Sequence, residues 1–297
     1  MTPRLPRTID EMKTCLGQLI TQDSTNQAKA FQARADDVFV VTYPKSGTTW
    51  MQQIVHGLRS GGSMDFGEIT EVVPWIEACG CLGQDMEQTP LAPPRAYKSH
   101  FAQDQIPQGA RYIYVVRDPK DVLLSFYHFF EGFMFEPGCI SLQQFSDNFF
   151  TTGSKSGRYW EHLASWWPQR NNDNTLFFTF ENLKDDLPGA VNKVADFLGI
   201  KPDPALLEKI LLQSSFGFMS SHSSHFDDHF LLNKRRSFCN LPDDVTTSKV
   251  RTGKSGGSKA LPNAISEQLD QLWASEIEQK LGFADYASLR REVDDLT

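Results

Sequence analysis

Short apolar runs alternate with amphipathic stretches along most of the chain. Residues 38–43 (VFVVTY), 112–116 (YIYVV) and 175–180 (TLFFTF) are nearly continuous apolar runs, and each precedes a segment whose apolar positions recur at helical spacing. Such runs are typical of strands buried on both faces, and the recurring positions are typical of helices. The pattern predicts an α/β fold with a central, mostly parallel sheet flanked by helices on both faces.

Glycine and proline mark the ends of the predicted helices, as expected from their preferred positions. These helices begin at Thr48 and Pro119 or end at Gly61, Gly199 and Gly282. The polar residues 1–35 predict a helix and a loop. Residues 220–259, rich in Ser, Asp, Lys and Gly, predict a long surface segment, and segments of that length are usually functional or mobile. We expect one domain over residues 1–297.

The charge balance limits the classes of ligand. The chain has 29 Lys and Arg against 37 Asp and Glu, a net charge of −8. This balance argues against a partner such as nucleic acid or an anionic membrane, which attracts clustered cations. An anionic ligand therefore needs a local site. An odd number of cysteines (5), no secretory leader pattern and no apolar run of membrane-spanning length predict a reducing, cytoplasmic location.

The first candidate anion site follows the first predicted strand, in YPKSGTTW at residues 43–50. A helix N-terminus presents unpaired N–H groups, glycine allows close backbone approach, and the lysine adds a full positive charge. The alternative is an ordinary capped helix beside a solvated lysine. The motif is not the complete P-loop, because Val40 occupies the position of its first glycine. The residues assigned to this site are Lys45, Ser46, Gly47, Thr48, Thr49 and Trp50.

The second candidate anion site follows the second predicted strand. Arg117 is a planar, permanently charged group suited to a phosphate, and Ser125 lies two helical turns further on. A surface ion pair of Arg117 with Asp118 or Asp121 is the alternative. Ligands of parallel sheets bind at the carboxyl ends of the strands. We therefore expect Lys45 and Arg117 to bind the two phosphates of one ligand.

These motifs resemble those of the cytosolic sulfotransferases. YPKSGTTW is similar to that family's 5′-phosphosulfate loop, and RDPKDVLLSFYHFF (residues 117–130) is similar to its 3′-phosphate segment. The resemblance covers residues 38–219. It implies the sulfotransferase fold and a P-loop-like phosphate site. It also implies transfer of a sulfuryl group from 3′-phosphoadenosine 5′-phosphosulfate (PAPS), leaving the bisphosphate PAP, to a hydroxyl or amine without a metal.

The resemblance also implies the catalytic residues. YKSH (residues 97–100) is similar to the family's Lys-x-His. His100 would be the base that takes the acceptor's proton, since an imidazole suits proton transfer near neutral pH. Lys98 would stabilise charge on the sulfuryl group and Lys45 the charge on the leaving nucleotide. A capping or surface histidine is the alternative role for His100.

Further family positions imply contacts to the adenosine. Trp50 is expected to stack on adenine or, alternatively, to pack in the core, and Phe180 stands where the family often has Tyr. RTGKSGGSK (residues 251–259) departs from the family's 3′-phosphate loop, with Thr252 in place of Lys. The residues assigned to adenine and the 3′-phosphate are Phe180, Ser215, Phe216, Met219, Arg251, Thr252 and Gly253. We expect residues 220–259 to form the active-site roof and this loop.

The acceptor is the least specified partner. By analogy with the family, Trp75, Cys81, Phe130 and Phe133 are expected to wall its pocket, which suits a small phenol, alcohol or sterol. An amine- or guanidine-bearing natural product is the alternative, with cation–π contacts and help from Glu77, Asp85 and Glu131. His222, His225 and His229 suggest a mobile lid, a metal site or contacts to the acceptor.

Two other function classes compete with sulfuryl transfer. A nucleotide kinase or NTPase also binds phosphates at strand ends, but the sequence has no complete P-loop and no recognisable Mg²⁺ ligands. A non-catalytic nucleotide-binding module needs the phosphate sites alone. The presence of Lys45, Lys98 and His100 favours the enzyme.

Overall fold

The computed structural model describes residues 2–87, 92–154, 156–250, 253 and 256–296. Four strands lie in this part of the chain: β1 (Val38–Thr42), β2 (Ala96–Ser99), β3 (Arg111–Val116) and β4 (Thr175–Thr179). The α-helices are α1 (Ile9–Leu19), α2 (Gln22–Ala30), α3 (Thr48–Ser60), α4 (Ile69–Val72), α5 (Cys79–Leu82), α6 (Pro119–Phe130), α7 (Leu142–Phe145), α8 (Tyr159–Trp166), α9 (Phe180–Asp185), α10 (Leu187–Leu198), α11 (Pro204–Gln213), α12 (Phe216–Ser221), α13 (His229–Arg235), α14 (Asn263–Trp273), α15 (Gln279–Leu281) and α16 (Tyr286–Leu296).

The sheet has the order β2-β1-β3-β4, and all three pairings are parallel. This confirms the predicted α/β class. Strand β2 is an addition to the predicted strands, because Lys98 interrupts the apolar pattern that marks a buried strand. It pairs with β1, with Val41 opposite Ser99. All four carboxyl ends therefore lie along one edge of the sheet.

The two faces of the sheet bury different side chains. Val38 and Val40 of β1 pack with Ile113 of β3 under α3 and α10, whereas Phe39 and Val41 face an aromatic core shared with α6, α8 and α14. Because side chains alternate along a strand, a continuous apolar run supplies both faces at once. Helices on both faces explain why these strands are fully apolar.

The predicted helix ends agree with the structure at most positions. Gly61, Gly199 and Gly282 follow their helices in the left-handed conformation, and Pro119 begins α6. The last amphipathic segment is not one regular helix, because a π-helical turn (Ala274–Glu278) separates α14 from α15.

Two predictions for the polar segments need correction. Residues 1–35 contain two helices, α1 and α2, rather than one helix and a loop. Residues 220–259 are not one long loop, because α13 and short 3₁₀ turns lie within them. Within this segment, the side chains of Phe226, Leu231 and Leu232 are buried and anchor it to the body of the protein.

Candidate functional site

The loop between β1 and α3 has a strained backbone. Lys45 has a φ of +70° and Gly47 a φ of +110°, and Gly47 precedes the first residue of α3, Thr48. A Cβ on Gly47 would lie 3.1 Å from the ring of Phe180. Position 47 therefore requires glycine for two reasons: its backbone has a positive φ, and the Phe180 ring that follows β4 leaves no room for a side chain. The turn brings the Lys45 ammonium to 3.7 Å from the ring centroid of Phe129.

The N-terminus of α3 is left open. Thr8, Thr21, Asp118 and Asp203 cap α1, α2, α6 and α11 with side-chain oxygens, but Gly47 supplies no side-chain cap to α3. The buried hydroxyl of Ser46 has no hydrogen-bond partner among the described residues. Free N–H groups, this hydroxyl and the helix dipole together suit an anion.

The Nδ1 atom of His100 lies 2.8 Å from the carbonyl oxygen of Thr42. A carbonyl oxygen only accepts, so Nδ1 carries the hydrogen and Nε2 keeps its lone pair. The backbone N–H of His100 donates to Glu77, 2.5 Å away. Burial, followed by the charge of Lys98, holds the pKa of His100 well below its usual value. His100 is therefore a neutral imidazole with its basic nitrogen fixed by its neighbours.

Lys45 and Lys98 both line the cavity, and Lys98 lies near the imidazole. The ammonium of Lys98 lies 4.1 Å from the ring centroid of Trp75, and the ring of Trp75 lies 5.4 Å from that of His100 in an edge-on arrangement. Burial and a neighbouring lysine, Lys249, lower the pKa of Lys98 to about 8 and that of Lys45 to about 7. Both ammonium groups are poised to gain stability from an anion placed between them.

Arg117 is the first residue after β3. Its guanidinium lies 4.2 Å from the ring centroid of Phe180 and donates to the backbone oxygen of Lys45 at 3.3 Å. Asp121, the predicted alternative partner, lies 3.9 Å away, a weak ion pair. The hydroxyl of Tyr159 donates to the Arg117 carbonyl at 2.7 Å and fixes the backbone. Arg117 therefore faces the same loop as Lys45.

Aromatic side chains surround the space between these cations. The Trp50 indole donates to the backbone oxygen of Ser214 at 2.7 Å, and its ring lies 5.5 Å from that of Phe180. The buried hydroxyl of Ser214 has no partner among the described residues. A Cβ on Gly253 would lie 2.4 Å from the ring of Phe216, so that glycine passes directly over the ring. These flat surfaces suit a planar base.

One cavity of about 790 Å³ connects these groups. Most of the predicted site residues line it: Lys45, Gly47, Thr48, Thr49, Trp50, Trp75, Lys98, His100, Arg117, Ser125, Phe130, Phe133, Phe180, Ser215, Phe216, Met219 and Gly253. Ser46 lies behind the wall, with its hydroxyl buried. Arg251 and Thr252 lie outside the described residues.

Several predicted contacts are not found at the cavity. Cys81 is absent from the described residues that line it, because its thiol points to the backbone oxygens of Leu19 and Ala78. Glu77, Asp85 and Glu131 are likewise absent from the described lining, and the Glu77 carboxylate is engaged by His100 and Ser99.

The rings of His222 and His225 lie 6.3 Å apart, but His229 is paired elsewhere, so the three histidines do not meet at one point. His222 stacks on Phe218, the ring of His225 contacts Phe66, and His229 pairs with Asp227. None of these histidines is among the described residues that line the cavity. Within the described ranges, no group of three or more His, Cys, Asp or Glu side chains is arranged to hold a metal ion.

The structure also adds residues that the sequence analysis missed. Leu16 and Leu19 of α1 and Ile20, which follows this helix, line the cavity, as do Asp228 and Lys249. The amphipathic pattern of α1 indicates a buried face but not what that face contacts. The apolar residues added to the wall are Pro44, Leu124, Phe126, Phe129, Phe149, Leu183, Leu187, Leu231 and Val250.

Comparison with known proteins decides the family. A family model described as "Sulfotransferase domain" matches residues 35–292. The chain belongs to the sulfotransferase family. Human Sulfotransferase 1E1 is 28% identical over 272 residues, which cover 86% of this chain and 88% of that protein. Rat Sulfotransferase 2A2 is 34% identical over 199 residues, 64% of this chain and 69% of that protein.

Solved structures share the fold of this sulfotransferase. Mouse sulfotransferase SULT7A1 complexed with PAP has a TM-score of 0.69 at 23% identity, covering 94% of this chain and 95% of that one. Retinol dehydratase in complex with androsterone and inactive cofactor PAP has a TM-score of 0.67 at 21% identity, covering 86% and 84%. None of the described helices is long and apolar enough to cross a membrane.

Proposed function

We propose that this sulfotransferase transfers a sulfuryl group from PAPS to the hydroxyl or amine of a small-molecule acceptor, with His100 as the base. One observation carries the proposal. The His100 Nδ1 contact to Thr42 leaves Nε2 as a hydrogen-bond acceptor in a cavity that Lys45, Lys98 and Arg117 also line. An arrangement with a base and several cations suits the removal of a proton while negative charge shifts to a leaving group.

The residues present fit the bisphosphate donor. The open N-terminus of α3 and Lys45 would hold its 5′ end, Arg117 and Ser125 its 3′-phosphate, and Trp50, Phe180 and Phe216 its adenine. The buried, unpartnered hydroxyl of Ser214, which lines the cavity, supports this assignment, because polar groups buried in the folded chain normally have partners. Mouse sulfotransferase SULT7A1 and retinol dehydratase, which share the fold, are each described with PAP.

When bound, the donor supplies an activated sulfuryl group. His100 Nε2 takes the proton of the acceptor as the acceptor attacks. Lys98 would supply a positive charge to the sulfuryl oxygens, and Lys45 would supply one to the oxygen that leaves with PAP. The open α3 terminus adds N–H groups to the same charge, so each new negative charge meets a fixed positive group.

The apolar wall suggests the class of acceptor. Trp75, Phe130, Phe133 and Leu16 line the cavity, and such surfaces favour a flat or apolar phenol, alcohol or sterol. Retinol dehydratase is described with androsterone and, in another structure, with retinol. A cytoplasmic location stays a prediction from the sequence.

Labelled PAPS tests the proposal directly. The purified chain is incubated with ³⁵S-labelled PAPS and separate panels of phenols, sterols, aliphatic alcohols and amines, and labelled products are separated and counted. We expect transfer to at least one hydroxyl acceptor and none by the His100→Ala variant, which should still bind PAP. No transfer to any panel, or equal transfer by the variant, would contradict the proposal.

A further inference from the structure

A buried ion pair lines the same cavity as His100. The ammonium of Lys249 lies 2.6 Å from Asp228 Oδ1, donates to the backbone oxygen of Asp227 at 2.9 Å and lies 3.9 Å from Glu68. The Lys249 and Asp228 side chains are each 8% exposed, and both residues line the cavity. A lysine rarely lies this deep in a protein without a functional or structural partner.

This pair joins three segments of the chain. Asp228 directly precedes α13, and Lys249 lies four residues before residue 253 in the sequence. Glu68 directly precedes α4, the helix that is followed in sequence by Trp75. The backbone N–H of Asp228 also donates to the hydroxyl of Thr247 at 2.8 Å. The roof of the cavity is therefore tied to its acceptor wall through buried charges.

We propose that Asp228 and Lys249 set the charge balance of the reaction centre, with Lys249 as a positioning residue that acts through Lys45 and Lys98. This proposal rests on the sulfuryl-transfer function described above. Charged or titratable groups surround the Asp228–Lys249 pair and the two lysines it acts on, Lys45 and Lys98. These neighbouring groups are His100, Arg117, Glu68, Glu77 and Asp227.

The two members of the pair act on the lysines in opposite directions. After burial, the charge of Lys249 is the largest cause that lowers the pKa of Lys45 and of Lys98, whereas Asp228 raises both. Burial opposes the charge of Lys249, but Asp228 and Glu68 keep its pKa above the usual value. The pair therefore keeps a third ammonium charged beside two lysines without adding net charge.

The expected effect has a definite sign. Transfer needs Lys45 and Lys98 protonated, so the rate is lost as pH rises through their pKa values. Lys249→Met removes a like charge, raises those pKa values and moves the alkaline limb of kcat/KM to higher pH. Asp228→Asn removes an opposite charge and moves the limb to lower pH. We expect shifts of up to about 1 pH unit, since a charge in close contact typically shifts a pKa by roughly 1–3 units.

A four-protein comparison tests this: wild type, Lys249→Met, Asp228→Asn and the double variant. We expect the alkaline limb of the kcat/KM profile to shift in opposite directions in the two single variants. In the double variant, we expect this limb at nearly the same pH as in the wild type. Lys280→Met is the matched control, because Lys280 pairs with Glu276 at 2.5 Å on the exposed surface. It should shift nothing. A merely structural pair predicts shifts of one sign or none, and that result would overturn the proposal.

A second measurement does not depend on transfer. In the ligand-free protein, the ¹³Cε resonances of Lys45 and Lys98 are titrated by NMR, with assignment by Lys→Arg variants. We expect both lysines to titrate at higher pH in Lys249→Met and at lower pH in Asp228→Asn. Unchanged titrations would overturn the charge-balance role. Opposite shifts in a protein that transfers no sulfate would retain that role and contradict the proposed function instead.

Discussion

The donor half and the acceptor half of the cavity are built in different ways. We define the donor half as Lys45, Trp50, Arg117 and Phe180, and the acceptor half as the wall formed by α1, Trp75, Phe126, Phe130, Phe133 and Leu231. Arg117 and Phe180 are the first residues after β3 and β4, and His100, which faces both halves, is the first residue after β2. The acceptor half combines segments that are distant in sequence and belong to no single strand end.

This difference teaches where specificity can change. Groups at the carboxyl ends of parallel strands are held by the ladder, so their relative positions depend on the sheet itself. The acceptor wall depends on how α1 and α13 pack on the body, and packing tolerates apolar substitution. We therefore expect variants of the donor half to affect every acceptor, and variants of the acceptor half to affect acceptors selectively.

The largest effect is expected at the reaction centre between the halves. His100→Gln removes the base and should lower kcat by about 10²–10⁴-fold. The affinity for PAP, measured by calorimetry, should not change, because the phosphate-binding groups remain. His128→Gln, a change at an exposed histidine, is the control and should retain wild-type turnover. Turnover close to wild type in His100→Gln would remove this residue as the base.

The next effect tests the donor half. Arg117→Ala removes charge-assisted hydrogen bonds worth about 1.5–3 kcal/mol and should weaken PAP binding by roughly 10–100-fold. Arg111→Ala, at the opposite end of the same strand, is the matched control, because Arg111 bonds to the backbone oxygens of Phe197 and Asp36. Equal PAP affinity in both variants would refute the assignment of Arg117 to a phosphate.

A smaller effect concerns the protonation of Lys45. Its pKa of about 7 means that the ligand-free protein loses this charge as pH rises above 7, and a bound phosphate raises the pKa again. PAP binding should therefore take up a proton above pH 7, and affinity should fall by up to about tenfold per pH unit. Calorimetry in buffers of different ionisation enthalpy measures the uptake. Lys45→Met should reduce it to the smaller uptake by Lys98, whose pKa is about 8, and an unaltered pH dependence in that variant would place the proton elsewhere.

The smallest effect tests the acceptor half. Leu16→Ala removes apolar contact from the half-buried wall and should raise the KM of an apolar acceptor by about 3–10-fold, given the free energy of burying a few methylene groups. The affinity for PAP should stay the same. Leu296→Ala, near the C-terminus of α16, controls for a general loss of apolar surface. A PAP affinity that falls together with acceptor binding would show that the two halves are not separable.

The same difference explains what could be predicted from the sequence. The strands, the strand-end cations and the glycine-marked helix ends follow from local patterns, because burial on both faces and helix capping act over a few residues. Cys81 was assigned to the acceptor wall wrongly, since family position alone does not fix which way a thiol points. Asp228 and Lys249 gave no local signal, because their pairing depends on the packing of segments about 20 residues apart and on Glu68, far earlier in the chain.

The most direct test of the account compares adenosine ligands that differ only in their phosphates. Calorimetry would measure the binding of PAP, 5′-AMP and 3′-AMP to the wild-type chain under one salt and pH condition. Since two separate cationic sites hold one ligand, we predict that each monophosphate binds at least about tenfold more weakly than PAP, the loss expected for one charge-assisted contact. Equal affinity for PAP and 5′-AMP would contradict a donor site with two phosphate-binding ends.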